Sequence, residues 1–500
     1  MVMNVSTILW CMFGSVLGII LGALPGLTAT MGVALCIPIS YHLSTATGMG
    51  LLLSVYCGAV CGASIPAILL GIPGNPNAIA TSEDGLAMTK KGLAGQALGG
   101  AIIASLIGGL GSEVILFFFS PLVAKMTLAF GPAEKTTLAL CGLVIIASVS
   151  GKNILKGLLM GAFGMVITFM GIDPASGGSR IPLTRILSKT ALSGGIDSIA
   201  ALIGLYGIGQ VFEEIYKFKQ KRDTYITDFG SVFPPFKKIA SMWKIILSSL
   251  GIGVGIGAIP GTGASIAVFL SRKAATDICL ASNGKLETPG TGCLEGVFAP
   301  EVANNAVTGG ALIPALALGI PGDGVTAVLI GALQIKGVTP GFTLFNQNMP
   351  LVYSIFITLT VANIFMALFQ FAGIRVYPKI LSVSNMVLMP VVLVLSLLGA
   401  YALAGASVAK GLVNMGTALL FGYIGFRFKK DNYPMVPIVL GMILGSMLED
   451  QFRRAFKLGG GSMERFVTSP ICWAFFILAV LMVILPIFRE KIKERKRVSK

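Results

Sequence analysis

The chain has 500 residues, of which 55% are hydrophobic and only 12% charged, with a mean hydropathy of +0.87. These values exclude an ordinary soluble protein and favour one embedded in a bilayer, with membrane lipid as its surroundings. The net charge of +16 comes from basic residues in short clusters between apolar runs. Basic loops facing an anionic cytoplasmic leaflet explain that pattern better than binding of nucleic acid, which we do not expect.

An internal duplication organises the chain. Residues 62–74 (GASIPAILLGIPG) recur at 310–322 (GALIPALALGIPG), with about ten of thirteen positions identical, and such near-identity is typical of duplicated sequence. A further Pro-Gly break precedes each copy, at 22–26 and at 257–261. Two halves of the chain therefore each carry two Pro-Gly breaks within strongly apolar sequence.

Apolar runs predict the membrane segments. A span needs about 20 apolar residues, which gives roughly 10–12 membrane segments here. The predicted spans and shorter apolar arms are, in chain order, 5–24, 27–40, 47–72, 93–119, 135–150, 153–172, 194–215, 239–259, 262–270, 351–372, 383–404, 408–426, 434–448 and 468–488. Polar stretches at 75–91 and 271–305 separate some of them. The first span has no charged segment before it, so we expect a retained helix rather than a signal peptide.

We therefore predict an all-α polytopic membrane protein with two inverted structural repeats and Pro-Gly-broken or re-entrant helices. The predicted organisation is membrane repeat 1 at 1–215, a basic cytoplasmic linker at 216–238, membrane repeat 2 at 239–455, an additional C-terminal span at 456–488 and a basic cytoplasmic tail at 489–500.

Charge predicts the orientation. No Lys or Arg precedes Lys90, whereas the linker and the tail are rich in both. The positive-inside rule then places the N-terminus in the periplasm and the C-terminus in the cytoplasm. One observation opposes this orientation, because it leaves a basic cluster on the outer side: Arg453, Arg454, Lys457 and Arg465.

The breaks predict a binding site for an anion. Backbone that leaves helical geometry inside a bilayer must find polar partners, so matched breaks are expected to line a cavity. A helix N-terminus presents free N–H groups and about half a positive charge, which suits a carboxylate. Broken helices at matching positions of two inverted halves are typical of a secondary-transporter site near the membrane midplane.

The candidate substrate-binding residues are those that flank the four breaks: Gly26, Thr28, Thr30, Gly74, Asn75, Asn77, Thr81, Gly261, Thr262, Ser265, Gly322 and Thr326. Hydroxyl and amide groups donate hydrogen bonds to carboxylate oxygens. The competing interpretation is that Ser and Thr only satisfy nearby backbone groups, as they commonly do in membrane helices.

Carboxylates within apolar sequence are the candidates for ion coupling, because an intramembrane charge is costly and usually functional. The candidate ion-coupling residues are Asp323, Glu301, Asn304, Asn305 and Asp84. Asp84 also fits a position at the water boundary, beside Lys90 and Lys91. Glu113 either lies within the membrane or ends its span. No cofactor is predicted, and the only ion expected is coupling Na⁺ or H⁺.

Enzyme signatures are weak. The sequence contains no phosphate-binding loop of the P-loop type, and its single histidine and unpaired cysteines give no metal pattern. We predict no catalytic residues and no enzymatic activity.

Six longer motifs carry a resemblance to a known family: GALPGLTATMGVALCIP (22–38), GIPGNPNAIATSEDGLAM (71–88), GAIPGTGASIA (257–267), EGVFAPEVANNAVTGGALIPALALGIPGD (295–323), GALQIKGVTPGFTLF (331–345) and LEDQFRRAF (448–456). With these motifs the sequence resembles the large membrane subunit (TctA) of the tripartite tricarboxylate transporter family. Ile72 stands where that family usually has Thr, Phe342 where it often has Pro, and 271–294 is atypical.

The resemblance implies a multi-pass transporter of the bacterial inner membrane, working with a small membrane subunit and a periplasmic solute-binding protein. It further implies import of citrate-like di- or tricarboxylates by symport with sodium or protons. Two alternatives remain open: a stand-alone secondary exporter or exchanger of organic anions, and a membrane-embedded enzyme or scaffold.

Overall fold

A computed structural model of the chain describes residues 4–24, 27–72, 74–126, 130–149, 154–170, 180, 195–216, 229–260, 263–376, 385–404 and 407–498. All regular secondary structure in these ranges is helical. The first half contains α1 (Val5–Ala23), α2 (Ala29–Tyr41), α3 (Thr45–Gly62), α4 (Ser64–Leu70), a 3₁₀ turn (Pro76–Ala78), α5 (Ile79–Lys90), α6 (Ala94–Met126), α7 (Pro132–Val149), α8 (Ile154–Phe169) and α9 (Ser198–Tyr216).

The second half follows a short helix, α10 (Phe236–Ser241). Its helices are α11 (Trp243–Ala258), α12 (Gly263–Leu280), α13 (Leu294–Leu318), α14 (Gly324–Ile335), α15 (Phe342–Gln347), α16 (Met349–Gly373), α17 (Asn385–Ala402), α18 (Val408–Lys430), α19 (Val436–Leu458), α20 (Glu464–Thr468) and α21 (Pro470–Val498). Most of the predicted linker, 217–228, lies outside the described residues.

The predicted class, an all-α polytopic membrane protein, is confirmed. Within the described residues, six helical segments are long and apolar enough to cross a bilayer: Val5–Ala23, Thr45–Leu70, Ala94–Met126, Ser198–Tyr216, Met349–Gly373 and Val408–Lys430. Helices of 10–17 residues with apolar sequence, such as α2, α11 and α14, lie among them. Half-length helices beside full spans are what the Pro-Gly breaks produce, since a break ends one helix and begins the next within the bilayer.

The first helices of the two halves pack in the same way. A Cβ atom added at Gly18 of α1 would collide with the Val55 carbonyl oxygen of α3. Likewise, a Cβ atom at Gly253 of α11 would lie 2.6 Å from the Ala303 carbonyl oxygen of α13. Small residues allow membrane helices to approach this closely. Helices α1 and α3 therefore form the same close pair as α11 and α13.

Later helices pack across the two halves. A Cβ atom at Gly164 of α8 would collide with the Ile438 carbonyl oxygen of α19. A Cβ atom at Gly204 of α9 would likewise collide with the Ala418 carbonyl oxygen of α18. Each of these close pairs combines one helix from the first half with one from the second, and the two pairs hold the halves together.

Contacts define two ends of the molecule. At the first, which we call the linker end, the Gly95 amide donates to the Phe229 carbonyl oxygen at 2.8 Å, and the Phe233 and Phe371 rings stack with centroids 5.1 Å apart. Helix α6 begins there and has 33 residues, a length of about 50 Å. It therefore reaches across the molecule to the far end.

The far end is defined by other contacts. The hydroxyl groups of Thr7 and Thr47 lie 2.9 Å apart, and Lys336 Nζ donates to the Leu43 carbonyl oxygen at 2.6 Å. Helices α1 and α2 form a hairpin that starts and finishes at this end. Helices α11 and α12 form the matching hairpin from the linker end, where α11 follows α10 directly.

The polar excursion predicted over 271–305 is shorter in the structure and covers 281–293. Helix α12 continues to Leu280, and α13 begins at Leu294 and is buried along almost its whole length. Two acidic residues of α13 have partners from distant sequence: Glu295 pairs with Lys238 at 2.7 Å, and Glu301 accepts a hydrogen bond from Thr81 at 2.6 Å. The polar stretch 75–91 also folds, as the 3₁₀ turn and α5.

Close packing at the breaks gives a stability prediction. A Cβ atom at Gly322 would lie 2.6 Å from both the Gly257 carbonyl oxygen and the Ala311 Cα atom. We expect Gly322→Ala to destabilise the fold by about 1–3 kcal/mol, since overpacking forces neighbours apart. The measurement is the temperature at which half of the purified protein stays monodisperse. Gly255→Ala is the matched control, because Gly255 has open space around its Cβ position; equal melting of both variants would contradict the packing argument.

Candidate functional site

The two motif copies end their helices identically. Gly71 ends α4 with φ 68°, and Gly319 ends α13 with φ 72°, a left-handed conformation that glycine adopts without strain. Four residues later, each copy starts a new helix with a polar cap. Asn75 caps the 3₁₀ turn before α5, and Asp323 caps α14.

Within each half, the two breaks touch. A Cβ atom added at Gly74 would collide with the Gly22 carbonyl oxygen, next to the end of α1. In the second half, Gly322 approaches the Gly257 carbonyl oxygen in the same way. The first break is therefore joined to the second, and the third to the fourth.

The breaks also touch between the halves. Ser265 Oγ, in the first turn of α12, donates to Asn77 Oδ1 at 2.7 Å. Thr30 Oγ1, in the first turn of α2, lies 3.3 Å from the Cβ position of Gly324. Together with the contacts within each half, these contacts close a ring of four breaks, which we call the break ring (residues 22–24, 27–30, 71–72, 74–77, 257–260, 263–265 and 319–326). The predicted site residues Gly26, Gly261 and Thr262 lie outside the described residues.

Four helical segments begin at the break ring. They are α2 at Ala29, the 3₁₀ turn at Pro76, α12 at Gly263 and α14 at Gly324. The first N–H groups of a helix have no partner within the helix, and the helix dipole favours negative charge there. The ring therefore gathers helix N-termini from both halves, an arrangement suited to an anion.

Side chains already cap some of these N-termini. Thr28 Oγ1 accepts from the Met31 amide at 3.2 Å, and Asn75 Oδ1 accepts from the Asn77 and Ala78 amides at 3.0 and 3.2 Å. Thr326 forms a reciprocal capping box with Asp323. These residues have the local backbone partners that the competing interpretation of the sequence anticipated.

Asp323 also reaches the other half. Its Oδ2 atom accepts a hydrogen bond from Tyr56 Oη of α3 at 2.8 Å. The Tyr206 hydroxyl lies 3.6 Å from the Cβ position of Gly324 and has no hydrogen-bond partner among the described residues. Tyr206 belongs to a π-helical turn, Ile203–Ile208, a feature common at functional sites.

A second polar cluster surrounds Glu301. Its side chain is fully buried and accepts hydrogen bonds from Thr81 Oγ1 at 2.6 Å and Ser105 Oγ at 3.3 Å. Asn305 Nδ2 donates to Ser105 Oγ at 2.8 Å. Within the described part of the chain, Asn305 Oδ1 and both polar atoms of Asn304 are buried without partners. Buried oxygens beside a carboxylate are the ligands that a small hard cation requires.

Asp84 lies at the linker end, apart from this cluster. Its fully buried carboxylate accepts from the amides of Gly290 and Gly292 at 2.8 and 2.9 Å and pairs with Arg272 at 2.9 Å. Asp84 therefore fixes the turn that leads into α13. The sequence suggested a water-boundary position because the partner Arg272 is distant along the chain.

Breaking this pair tests the role of Asp84. Arg272→Gln leaves a buried carboxylate without its cation, and we expect a loss of about 3–5 kcal/mol of stability. Adding Asp84→Asn is expected to recover part of that loss, because the buried charge is then removed. The measurement is thermal unfolding of both single variants and the double variant; strictly additive losses would show that the pair does not couple.

Glu113 also lies inside the fold. It is 7% exposed, accepts a hydrogen bond from Thr360 Oγ1 of α16, and its Oε2 atom has no partner among the described residues. Glu113 lies near the middle of α6. It therefore belongs to the membrane region and does not end a span.

Sequence reasoning missed three residues that the structure brings to these clusters: Tyr56, Ser105 and Tyr206. Each is a single polar side chain inside an apolar helix, and none neighbours a break in sequence. The Gly-rich stretches around Ser105 and Tyr206 were the available signal, since small residues permit close approach between helices.

Comparisons with known proteins agree with this architecture. The model of the family described as "Tripartite tricarboxylate transporter TctA family" matches residues 8–440. A protein of Agrobacterium vitis described as "Uncharacterized 52.8 kDa protein in TAR-I ttuC' 3'region" is 29% identical over 487 residues, covering 97% of this chain and 94% of that protein.

A second Agrobacterium vitis protein, described as "Uncharacterized protein in TAR-II ttuC' 3'region", is 29% identical over 239 residues, covering 47% of this chain and 95% of that relative. No solved structure matches the chain significantly. The family match extends over both motif copies and all four breaks. The chain therefore belongs to the tripartite tricarboxylate transporter TctA family and is a multi-pass membrane subunit of such a transporter.

Proposed function

We propose that this subunit imports citrate-like di- or tricarboxylates, driven by a sodium or proton gradient, and receives them from a periplasmic solute-binding protein. A small membrane subunit is its second partner. The observation that carries the proposal is the break ring, because it brings the N-termini of α2, α12, α14 and the 3₁₀ turn together within an apolar protein. N-terminal N–H groups bind carboxylates without any buried cationic side chain.

The substrate site consists of half-buried polar side chains of the ring. Thr30 and Ser265 occupy matching first turns of α2 and α12, and each faces a break of the other half. Asn77 accepts from Ser265 and keeps its own amide N–H groups for an anion. Thr28, Asn75 and Thr326 position the helix N-termini by capping them.

We assign ion coupling to two carboxylates: Glu301, near the break ring, and Asp323, within it. Glu301 provides a negative charge, and the unpartnered oxygens of Asn304 and Asn305 provide neutral ligands, a set that suits sodium or a proton-exchanging carboxyl. Asp323 couples the fourth break to Tyr56 of the other half. We assign Asp84 to holding the turn before α13 rather than to coupling, because its lone pairs are occupied by backbone N–H groups and Arg272.

Alternating access follows from the hairpins. Helices α1 and α2 enter from the far end and α11 and α12 from the linker end, so the two halves are inverted. We place the linker end in the cytoplasm and the far end in the periplasm of a bacterial inner membrane, in agreement with the basic linker. Rearrangement of the halves about the ring then opens the site to one side at a time.

Uptake into proteoliposomes tests the proposal. The purified chain, with a candidate small membrane subunit, is given labelled citrate and succinate under imposed sodium or proton gradients. The binding protein is added or withheld. We expect accumulation that requires both a gradient and the binding protein. Gradient-driven flux without the binding protein would instead establish a stand-alone exchanger, and absence of carboxylate flux in all conditions would contradict the proposal.

A further inference from the structure

A large cavity lies beside the break ring, towards the far end of the molecule. Its volume is about 850 Å³, and α7, α19 and the turn between α14 and α15 enclose it. It includes Gln334, which lies two residues before the Lys336 that contacts Leu43 at the far end. Cavities of about 300–1,000 Å³ are the usual size for binding small molecules.

The cavity wall suits an anion. Lys135 and Arg454 contribute two cations, and Asp450 contributes one anion that lies 3.0 Å from Arg454 Nη2. Five neutral hydrogen-bonding side chains also line it: Gln334, Thr339, Thr343, Ser446 and Gln451. Apolar side chains such as Leu138, Ile443 and Met447 complete the wall. A net positive wall with several hydroxyl and amide donors matches the chemistry of a carboxylate-bearing ligand.

The cavity borders the break ring. Gly319, the left-handed glycine that ends α13, is part of its wall. The loop on its other side is tied to the same helix, because the Gly341 amide donates to the Leu316 carbonyl oxygen at 2.8 Å. Beyond Gly319 the chain runs through the fourth break to Asp323. A ligand in this cavity would therefore lie next to the break that leads to the ring.

We propose that this cavity is an outer binding site for a di- or tricarboxylate, occupied before the substrate reaches the break ring. The proposal rests on the proposed function. Lys135 and Arg454 bind the carboxylates of the ligand. Asp450 lowers the affinity because it competes with the ligand for Arg454. The site also explains why basic residues of α19 stand at the end of the molecule that the positive-inside rule would leave poor in them.

Transport kinetics test the charges. For citrate delivered at the periplasmic face, we expect Lys135→Gln and Arg454→Gln each to raise KM about tenfold with kcat nearly unchanged, because they weaken capture rather than translocation. Lys135→Arg keeps the charge and is expected to keep KM. Asp450→Asn is expected to lower KM, since it frees Arg454. A raised KM in Asp450→Asn, or an unchanged KM in both cation variants, would overturn the assignment.

Cysteine protection tests occupancy without transport. The native cysteines are all buried, so a single Thr343→Cys in the cavity wall can be labelled selectively by a membrane-impermeant maleimide. Citrate at about ten times its Kd should slow that labelling about tenfold. Asn346→Cys, on exposed α15 and outside the cavity wall, is the matched control and should be unaffected. Lys135→Gln introduced beside Thr343→Cys should reduce the protection to about twofold at the same citrate concentration, because a tenfold weaker affinity leaves the site about half occupied.

The two readouts separate the two proposals. Carboxylate transport with no protection at Thr343→Cys would overturn the outer site and leave the proposed function standing. Protection that depends on Lys135, in a protein that moves no carboxylate under any gradient, would support the outer site and overturn the proposed function. Protection at Thr343→Cys and Asn346→Cys alike would indicate a general conformational effect and would also overturn the outer site.

Discussion

Glu301→Gln is expected to lower gradient-driven carboxylate accumulation about 100-fold while leaving substrate exchange across the membrane measurable. Glu301 is fully buried, and its partners Thr81 and Ser105 are neutral hydroxyls. A glutamine has the same shape and still accepts hydrogen bonds, so the fold is retained. It cannot carry the negative charge that binds and releases a coupling cation.

Glu295→Gln is the matched control, since Glu295 is equally buried on the same helix. Its partner is Lys238 at the linker end; burial lowers the pKa of Lys238, but hydrogen bonds to Glu295 and Glu287 outweigh this and raise it. We expect Glu295→Gln to affect thermal stability more than coupling. Accumulation by Glu301→Gln equal to that of the parent would remove Glu301 from the coupling role.

Asp323→Asn is expected to abolish ion-coupled accumulation with little change in expression or thermal stability. Asn caps helices about as well as Asp, so α14 keeps its N-terminus and the hydrogen bond from the Thr326 amide. The variant loses the carboxylate that accepts a hydrogen bond from the Tyr56 hydroxyl of the other half. Uptake of labelled citrate into proteoliposomes, normalised to the amount of reconstituted protein, measures the effect.

The control for Asp323→Asn is Tyr56→Phe, which removes the donor but keeps the carboxylate. We expect Tyr56→Phe to slow transport by about 10- to 150-fold without abolishing ion coupling, because one hydrogen bond to a charged group contributes about 1.5–3 kcal/mol. Normal accumulation by Asp323→Asn would show that the carboxylate serves only as a helix cap. A marked fall in stability of Asp323→Asn would point to the same structural role.

Local sequence was sufficient to locate the breaks. Near-identical motif copies and the Pro-Gly pairs marked where helices must end, since proline removes a donor and glycine permits the left-handed turns at Gly71 and Gly319. The helical class followed from composition. Thr30, Asn77 and Ser265 flank breaks in the sequence. In the structure they make contacts between the two halves.

Partners distant in sequence could not be predicted. The sequence around Asp84 indicates a carboxylate at the water boundary, because its partner Arg272 is 188 residues away. Glu301 likewise has a distant partner, Thr81, which is 220 residues away. Hydrophobic periodicity indicates which face of a helix is buried but not which helix covers it. The pairing of α8 with α19 and of α9 with α18 could therefore not be predicted from a single sequence.

A structure of the chain in lipid nanodiscs with saturating citrate tests the central claim most directly. The claim predicts citrate density at the break ring, with carboxylate oxygens within hydrogen-bonding distance of the first turns of α2 and α12, near Thr30 and Ser265. A second density in the cavity beside Lys135 is compatible with that result. Citrate bound elsewhere, with the four helix N-termini of the ring unoccupied, would contradict the account.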